Sequence, residues 1–242
     1  IEHITYEGAN MAKYGDVVVV SLNHRLNVLG YLDLSPFGEK YEASANAGNL
    51  DIIAALQWVR DNIRGFGGDP DNVTVAGQSG GGGKAAILMQ MPPADGLYHK
   101  VISQSGALRD RSGTSITEEK RHWQSLGEKT AEILGLTKEN IETIDAVPYE
   151  ELAKAAVQAG KILGFPGGMM LFEPSPAEGF YEGLASIVGF REETKHIPVM
   201  AGTVLGEFAF MHYLGDKTRY TEVDKYNILE QNYGKNTMSI IK

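Results

Sequence analysis

Ser79 stands in the run Gly77-Gln78-Ser79-Gly80-Gly81, a G-x-S-x-G pattern. A serine hydroxyl is a weak nucleophile until a base removes its proton, and an acid must hold that base in the right tautomer. The flanking residues set the context. Val73 to Ala76 is short, apolar or β-branched, and bounded by turn residues, so it reads as a buried strand. Lys84 to Met91 is apolar and stops at Pro92 and Pro93, so it reads as a helix. A serine between them lies on a sharp strand-to-helix turn. Glycines at 77 and 81 remove Cβ atoms that such a turn would crowd. The helix start aims free N–H groups and a positive dipole end at any negative charge formed there. The backbone N–H of Gly80, directly after the serine, is the expected oxyanion donor.

Other uses of a glycine-rich turn fit less well. A phosphate loop of the G-x-x-x-x-G-K-[ST] type fails because position 78 is Gln78 and Lys84 is followed by Ala85. A dinucleotide fingerprint over Gly81, Gly83 and Ala86 meets no acidic residue about 20 positions on, between Ser103 and Ala107. A loop that only lets helix and strand pack closely is the remaining bland reading.

The run before the serine, Phe66-Gly67-Gly68-Asp69-Pro70 through Asn72-Val73-Thr74 into Gly77-x-Ser79-x-Gly81, resembles the type B carboxylesterases, the cholinesterase-like branch of the α/β-hydrolases. The likeness extends to Val17-Val18-Val19-Val20-Ser21-Leu22-Asn23-His24-Arg25-Leu26, with His24 where that family has tyrosine. It continues through Asn46-Ala47-Gly48-Asn49-Leu50-Asp51, Ala55 to Val59, and His99 to Gly106. The resemblance implies an α/β-hydrolase fold, with a mostly parallel sheet and helices on both faces. It implies hydrolysis of small-molecule carboxylic esters through an acyl-enzyme, with no cofactor. Because the family also includes adhesion-type binding proteins, a non-catalytic, cholinesterase-like binding protein is the alternative.

In this fold class the chain order is Ser, then Asp or Glu, then His. Pro198 to Glu207 resembles the family strand that leads to the acid, which puts Glu207 at the acid position. There Gly206 and Phe208 replace the family's aspartate and glycine. Read without the resemblance, Glu207 only starts a helix. Ser105, in Gln104-Ser105-Gly106, matches a family serine that supports the buried acid. The catalytic histidine is left unassigned. His3, His24, His99, His122 and His196 precede Glu207, and only His212 follows it, five positions on and on a different face of a helix or strand. In the family the base lies on a later loop, beyond Lys242, and a His-Gly-Gly-Gly-type loop that completes the oxyanion hole lies before Ile1. The expectation is therefore a single partial domain over 1–242, truncated at both ends.

The elements that must position these residues read as follows. Met11 to Gly15 is a short helix end, and Asp16 to Ser21 a strand buried on both faces. Leu26 to Leu34 is a connection and Phe37 to Ala45 a loop. Asn49 to Arg64 is a helix capped by Asn49 and ended by Gly65. Lys100 to Gln104 and Ile197 to Thr203 are further strands, so the pattern is β-α-β. Helices over Glu118 to Leu134, Glu139 to Val147 and Tyr149 to Leu163 break the alternation; they resemble the family's helical insertion, at about 110–165, and fit a helical outer layer equally well. His122 reads as exposed on its helix. Gly164 to Gly179 is a long loop whose Pro174-Ser175-Pro176 stretch matches the family's substrate-side segment poorly.

Composition bounds the class. Across 242 residues, 43% hydrophobic and 22% charged side chains are ordinary for a globular chain. A net charge of −9 disfavours a nucleic-acid partner. No apolar run reaches membrane-spanning length, and no histidine cluster or H-E-x-x-H helix points to a metal. The absence of cysteine suits a reducing, cytoplasmic compartment. Oligomeric state and acyl or alcohol preference are not legible.

Overall fold

The structure is a computed structural model that describes residues 7–106, 113–165, 172–204, 207 and 219–233. Its elements, in chain order, begin with α1 (Ala9–Gly15), α2 (Asn27–Tyr31) and α3 (Ala47–Asn62). Then come β1 (Thr74–Gln78), α4 (Gly80–Ile87), β2 (Lys100–Gln104), α5 (Ile116–Ile133) and α6 (Tyr149–Ile162). The last are α7 (Ala185–Val188), β3 (Val199–Gly202) and α8 (Glu222–Tyr233). The residues cluster as two compact units, Ile1–Gly202 and Thr203–Lys242.

In the first unit β1, β2 and β3 form a parallel sheet in that order. Thr74 sits opposite Lys100 and Gln78 opposite Gln104, while Val101 pairs with Val199 and Gln104 with Gly202. The three strands therefore end together, on one rim, where sites form in parallel sheets. Ile52, Ile53 and Leu56 of α3 join Ala85 and Ile87 of α4 and Val101 of β2 in one apolar core. A second core unites Leu126 and Ala131 of α5, Leu152, Ala156 and Ala159 of α6, and Val28 of α2 with Leu32 and Leu34. One 3-10 helix, Ile141–Ala146, lies between α5 and α6. Ser115 caps α5 with its hydroxyl on the Glu118 N–H, and the Glu118 carboxylate returns to the Ser115 N–H, a closed capping box.

Several expectations change. Val17 to Val20 forms no ladder, and Val17 is 47% exposed, because no described strand lies alongside it. The edge strands are also less covered than a buried parallel sheet implies: all of β3 is exposed, and only β2 has fully buried residues. Leu26 to Leu34 is more than a connection, since α2 and its flanks enter the second core. The 37–45 loop contains 3-10 turns at Glu39–Tyr41 and Ser44–Asn46, the first preceded by one at Ser35–Phe37. The left-handed residue after α1 is Asp16 (φ 51°), not Gly15. A 3-10 turn extends α3 to Phe66, so the left-handed glycine that ends it is Gly67 and not Gly65. Asn49 does not cap α3. It is buried, and its Oδ1 accepts the Tyr31 hydroxyl at 3.2 Å. His122 is not exposed either, because its ring stacks on Phe165 at 4.0 Å.

In the second unit α8 opens on Thr221, whose side chain accepts the Asp224 N–H at 3.2 Å.

Candidate active site

Ser79 links β1 to α4 with φ 53° and ψ −122°, a backbone conformation that a residue with a Cβ rarely takes. Two hydrogen bonds hold it there. Its N–H donates to the Gln104 carbonyl at 2.8 Å, and its own carbonyl accepts from Gly83 N–H at 3.0 Å. Glycines allow the geometry, though not in the expected way. A Cβ on Gly77 would stand 2.3 Å from the Gly81 carbonyl carbon, whereas a Cβ on Gly81 would meet nothing within 4 Å. The second crowded position is Gly82, where a Cβ would fall 2.9 Å from the Gly106 Cα. α4 consequently begins at Gly80, four residues earlier than its apolar run, and its glycine-only first turn lies against the end of β2. Glycine is a poor helix former. Close approach to Gly77 and Gly106 outweighs propensity here.

Ser79 and Gly80 are exposed at the end of β1, and the Gly80 N–H is at the amino end of α4. Ser105 lies just past β2 on the same rim, with φ 46° and its N–H on the Gly202 carbonyl at 2.7 Å. The neighbouring Ser103 Oγ donates to the Gly82 carbonyl at 3.1 Å, tying β2 to α4 below the turn. Among the described residues no side chain hydrogen-bonds the Ser79 hydroxyl.

Glu207 belongs to the second unit. It turns back on its own segment, its carboxylate accepting the Val204 N–H at 3.1 Å and its N–H donating to the Val204 carbonyl at 3.3 Å. His212 lies outside the described residues. His99 Nδ1 accepts the Val73 N–H at 3.2 Å, at the amino end of β2, a structural role. In the 174–179 stretch, the Ser175 carbonyl accepts from the Asn46 side chain at 2.8 Å and Ala177 bridges to Tyr181, which ties the loop to the start of α3.

Sequence reasoning passed over the polar group beside α4. The Arg25 guanidinium grips Asp51 of α3, Nη2 to Oδ1 at 2.7 Å and Nε to Oδ2 at 2.9 Å, and these bonds hold the Asp51 carboxyl below its ordinary range. His24 donates from Nδ1 to the Arg25 carbonyl at 2.8 Å, and burial lowers its pKa. The Lys84 ammonium sits 5.7 Å from the centroid of the Tyr31 ring, and burial lowers its pKa too. The visible signal was a lysine directly after four glycines. No group of three or more His, Cys, Asp or Glu able to hold a metal exists among the described residues.

Comparison with known proteins identifies the family. The family model described as "Carboxylesterase family" matches residues 2–240. Para-nitrobenzyl esterase of Bacillus subtilis (strain 168) is 36% identical over 239 residues, 95% of this chain and 45% of that protein. Carboxylesterase 3 of Homo sapiens is 47% identical over 104 residues, 43% of this chain and 18% of that protein. Among solved structures, an esterase from anaerobic Clostridium hathewayi, described as able to hydrolyze aliphatic aromatic polyesters, superposes with a TM-score of 0.73 at 46% identity. That match covers 96% of this chain and 45% of the other. A thermophilic PNB esterase gives 0.76 at 36% identity, over 95% of this chain and 46% of the other. The chain thus spans less than half the length of these relatives. With a family match over residues 2–240 and esterase structures superposing over 95–96% of its length, the chain belongs to the carboxylesterase family and has the α/β-hydrolase fold.

Proposed function

We propose that the whole protein hydrolyses small-molecule carboxylic esters, with Ser79 as nucleophile. Ser79 Oγ adds to the ester carbonyl carbon and its proton passes to an imidazole. The carbonyl π electrons move onto oxygen, which the Gly80 N–H receives. Collapse expels the alcohol, which takes the proton back, and leaves an acyl-serine. Water adds to that ester by the same route, releasing the acid and restoring Ser79. Glu207 orients the imidazole in this scheme, and Ser105 supports the acid. The histidine is the base that the family carries on a later loop. No cofactor or metal enters the scheme.

One observation carries the reading: a serine with φ 53° is exposed between a parallel strand and the amino end of a helix. Such strain persists where surrounding structure enforces it, and it clusters at working sites. The test is turnover of a short-chain activated ester by the whole protein and by Ser79→Ala. Turnover abolished by the substitution supports the reading. An absence of turnover in the unaltered protein favours the non-catalytic binding role instead.

A further inference from the structure

Lys84 is placed at a cost in two respects. It is half-buried, which disfavours its charge and lowers its pKa. Among the described residues it has no ion pair and no side-chain hydrogen bond. Its near neighbours are the Tyr31 ring, with the centroid 5.7 Å away, and the His24 imidazole, whose pKa the lysine helps to lower. The nearest carboxylate in this group, Asp51, is engaged by Arg25. The ammonium instead stands beside Gly80. Nζ stands 3.7 Å from where a Cβ on Gly80 would be, so it lies within about 6 Å of the Gly80 nitrogen.

We infer that Lys84 is a built-in counter-charge for the oxyanion, held unpaired until negative charge develops at the Gly80 N–H. The inference rests on the reading of Ser79 as nucleophile and Gly80 as oxyanion donor. Lys84 transfers no proton. It remains an ammonium throughout, and its attraction for the tetrahedral adduct exceeds that for the neutral ester, so it acts on kcat more than on KM. Methionine of similar length would keep the packing and remove the charge. An unpaired, half-buried charge is unfavourable to folding, so this substitution should not lower stability.

The experiment measures kcat, KM and Tm for the whole protein and for Lys84→Met, Lys84→Arg and Ser79→Ala on a neutral p-nitrophenyl ester. The expected result is that Lys84→Met lowers kcat about ten- to hundred-fold. KM stays close to that of the unaltered protein, and Tm is equal or higher. Lys84→Arg recovers most of kcat. An unchanged kcat in Lys84→Met overturns the inference. So does a loss shared equally by the methionine and arginine variants together with a lowered Tm, which marks a packing role. Turnover that survives Ser79→Ala overturns the nucleophile reading itself, and is told apart because it does not depend on Lys84.

Discussion

At Ser79 the glycines on either side have different jobs. A Cβ on Gly77 would collide with the backbone of Gly81, which cannot move without undoing the turn. Gly77→Ala should therefore cost about 1–3 kcal/mol, seen as a lower midpoint in urea. Gly81→Ala projects into open space at the start of α4 and should be neutral or stabilising by up to about 1 kcal/mol. The reverse order of the two midpoints would contradict this account of the turn. Glu207→Gln should leave Tm nearly unchanged and reduce kcat of the whole protein on the order of 10⁴-fold, as loss of the base-orienting acid does. An unaltered kcat removes Glu207 from the proposed triad. The motif was legible because G-x-S-x-G is local. The unpaired lysine was not, because its significance lies in what Gly80, Tyr31 and Asp51 do around it, and these come from three separate segments.

Among the elements, α5 depends on its capping box, so Ser115→Ala should lower stability by about 1 kcal/mol. The Arg25–Asp51 pair fixes the segment before α2 to α3. Asp51 has a depressed pKa in the folded state, so its contribution is complete above its ordinary value of 3.8 and is lost as pH falls through the lower folded value. The stability gap between the protein and Asp51→Asn should therefore be widest near neutral pH and should close in acid. A gap that widens in acid would reverse the sign of the argument. The helices α1, α3, α4, α5 and α6 and the strands β1, β2 and β3 could be read from periodicity and turn residues, each within a few positions, whereas α2, α7 and α8 were not read as helices. The run Val17 to Val20 has an equally strong strand signal and yet forms no ladder. A helix closes its own hydrogen bonds, whereas a parallel strand needs a neighbour brought from elsewhere. Asn49 and His122 show the same limit for side chains, since the Tyr31 hydroxyl and the Phe165 ring that engage them are set by tertiary packing.

For the molecule as a whole, the chain covers 45% of para-nitrobenzyl esterase. The 242 residues alone present exposed valines at 17–20 and exposed apolar side chains along β3. Such surfaces favour association. The isolated chain should self-associate with rising concentration in sedimentation velocity, and a monomer at all concentrations would count against this. In the proposed scheme the base comes from the later loop of the family, so the isolated chain should also turn over activated esters poorly beside the whole protein. Robust turnover by the isolated chain would show that 1–242 already holds a complete site, with His212 the first residue to mutate. The central claim, that Ser79 is the nucleophile, is met most directly by treating the whole protein with a fluorophosphonate and mapping the adduct by peptide mass spectrometry. The account predicts a single adduct on the peptide carrying Ser79, formed in step with loss of ester turnover and absent from Ser79→Ala. Inactivation with the label on another residue, or turnover that persists once Ser79 is fully labelled, would contradict it.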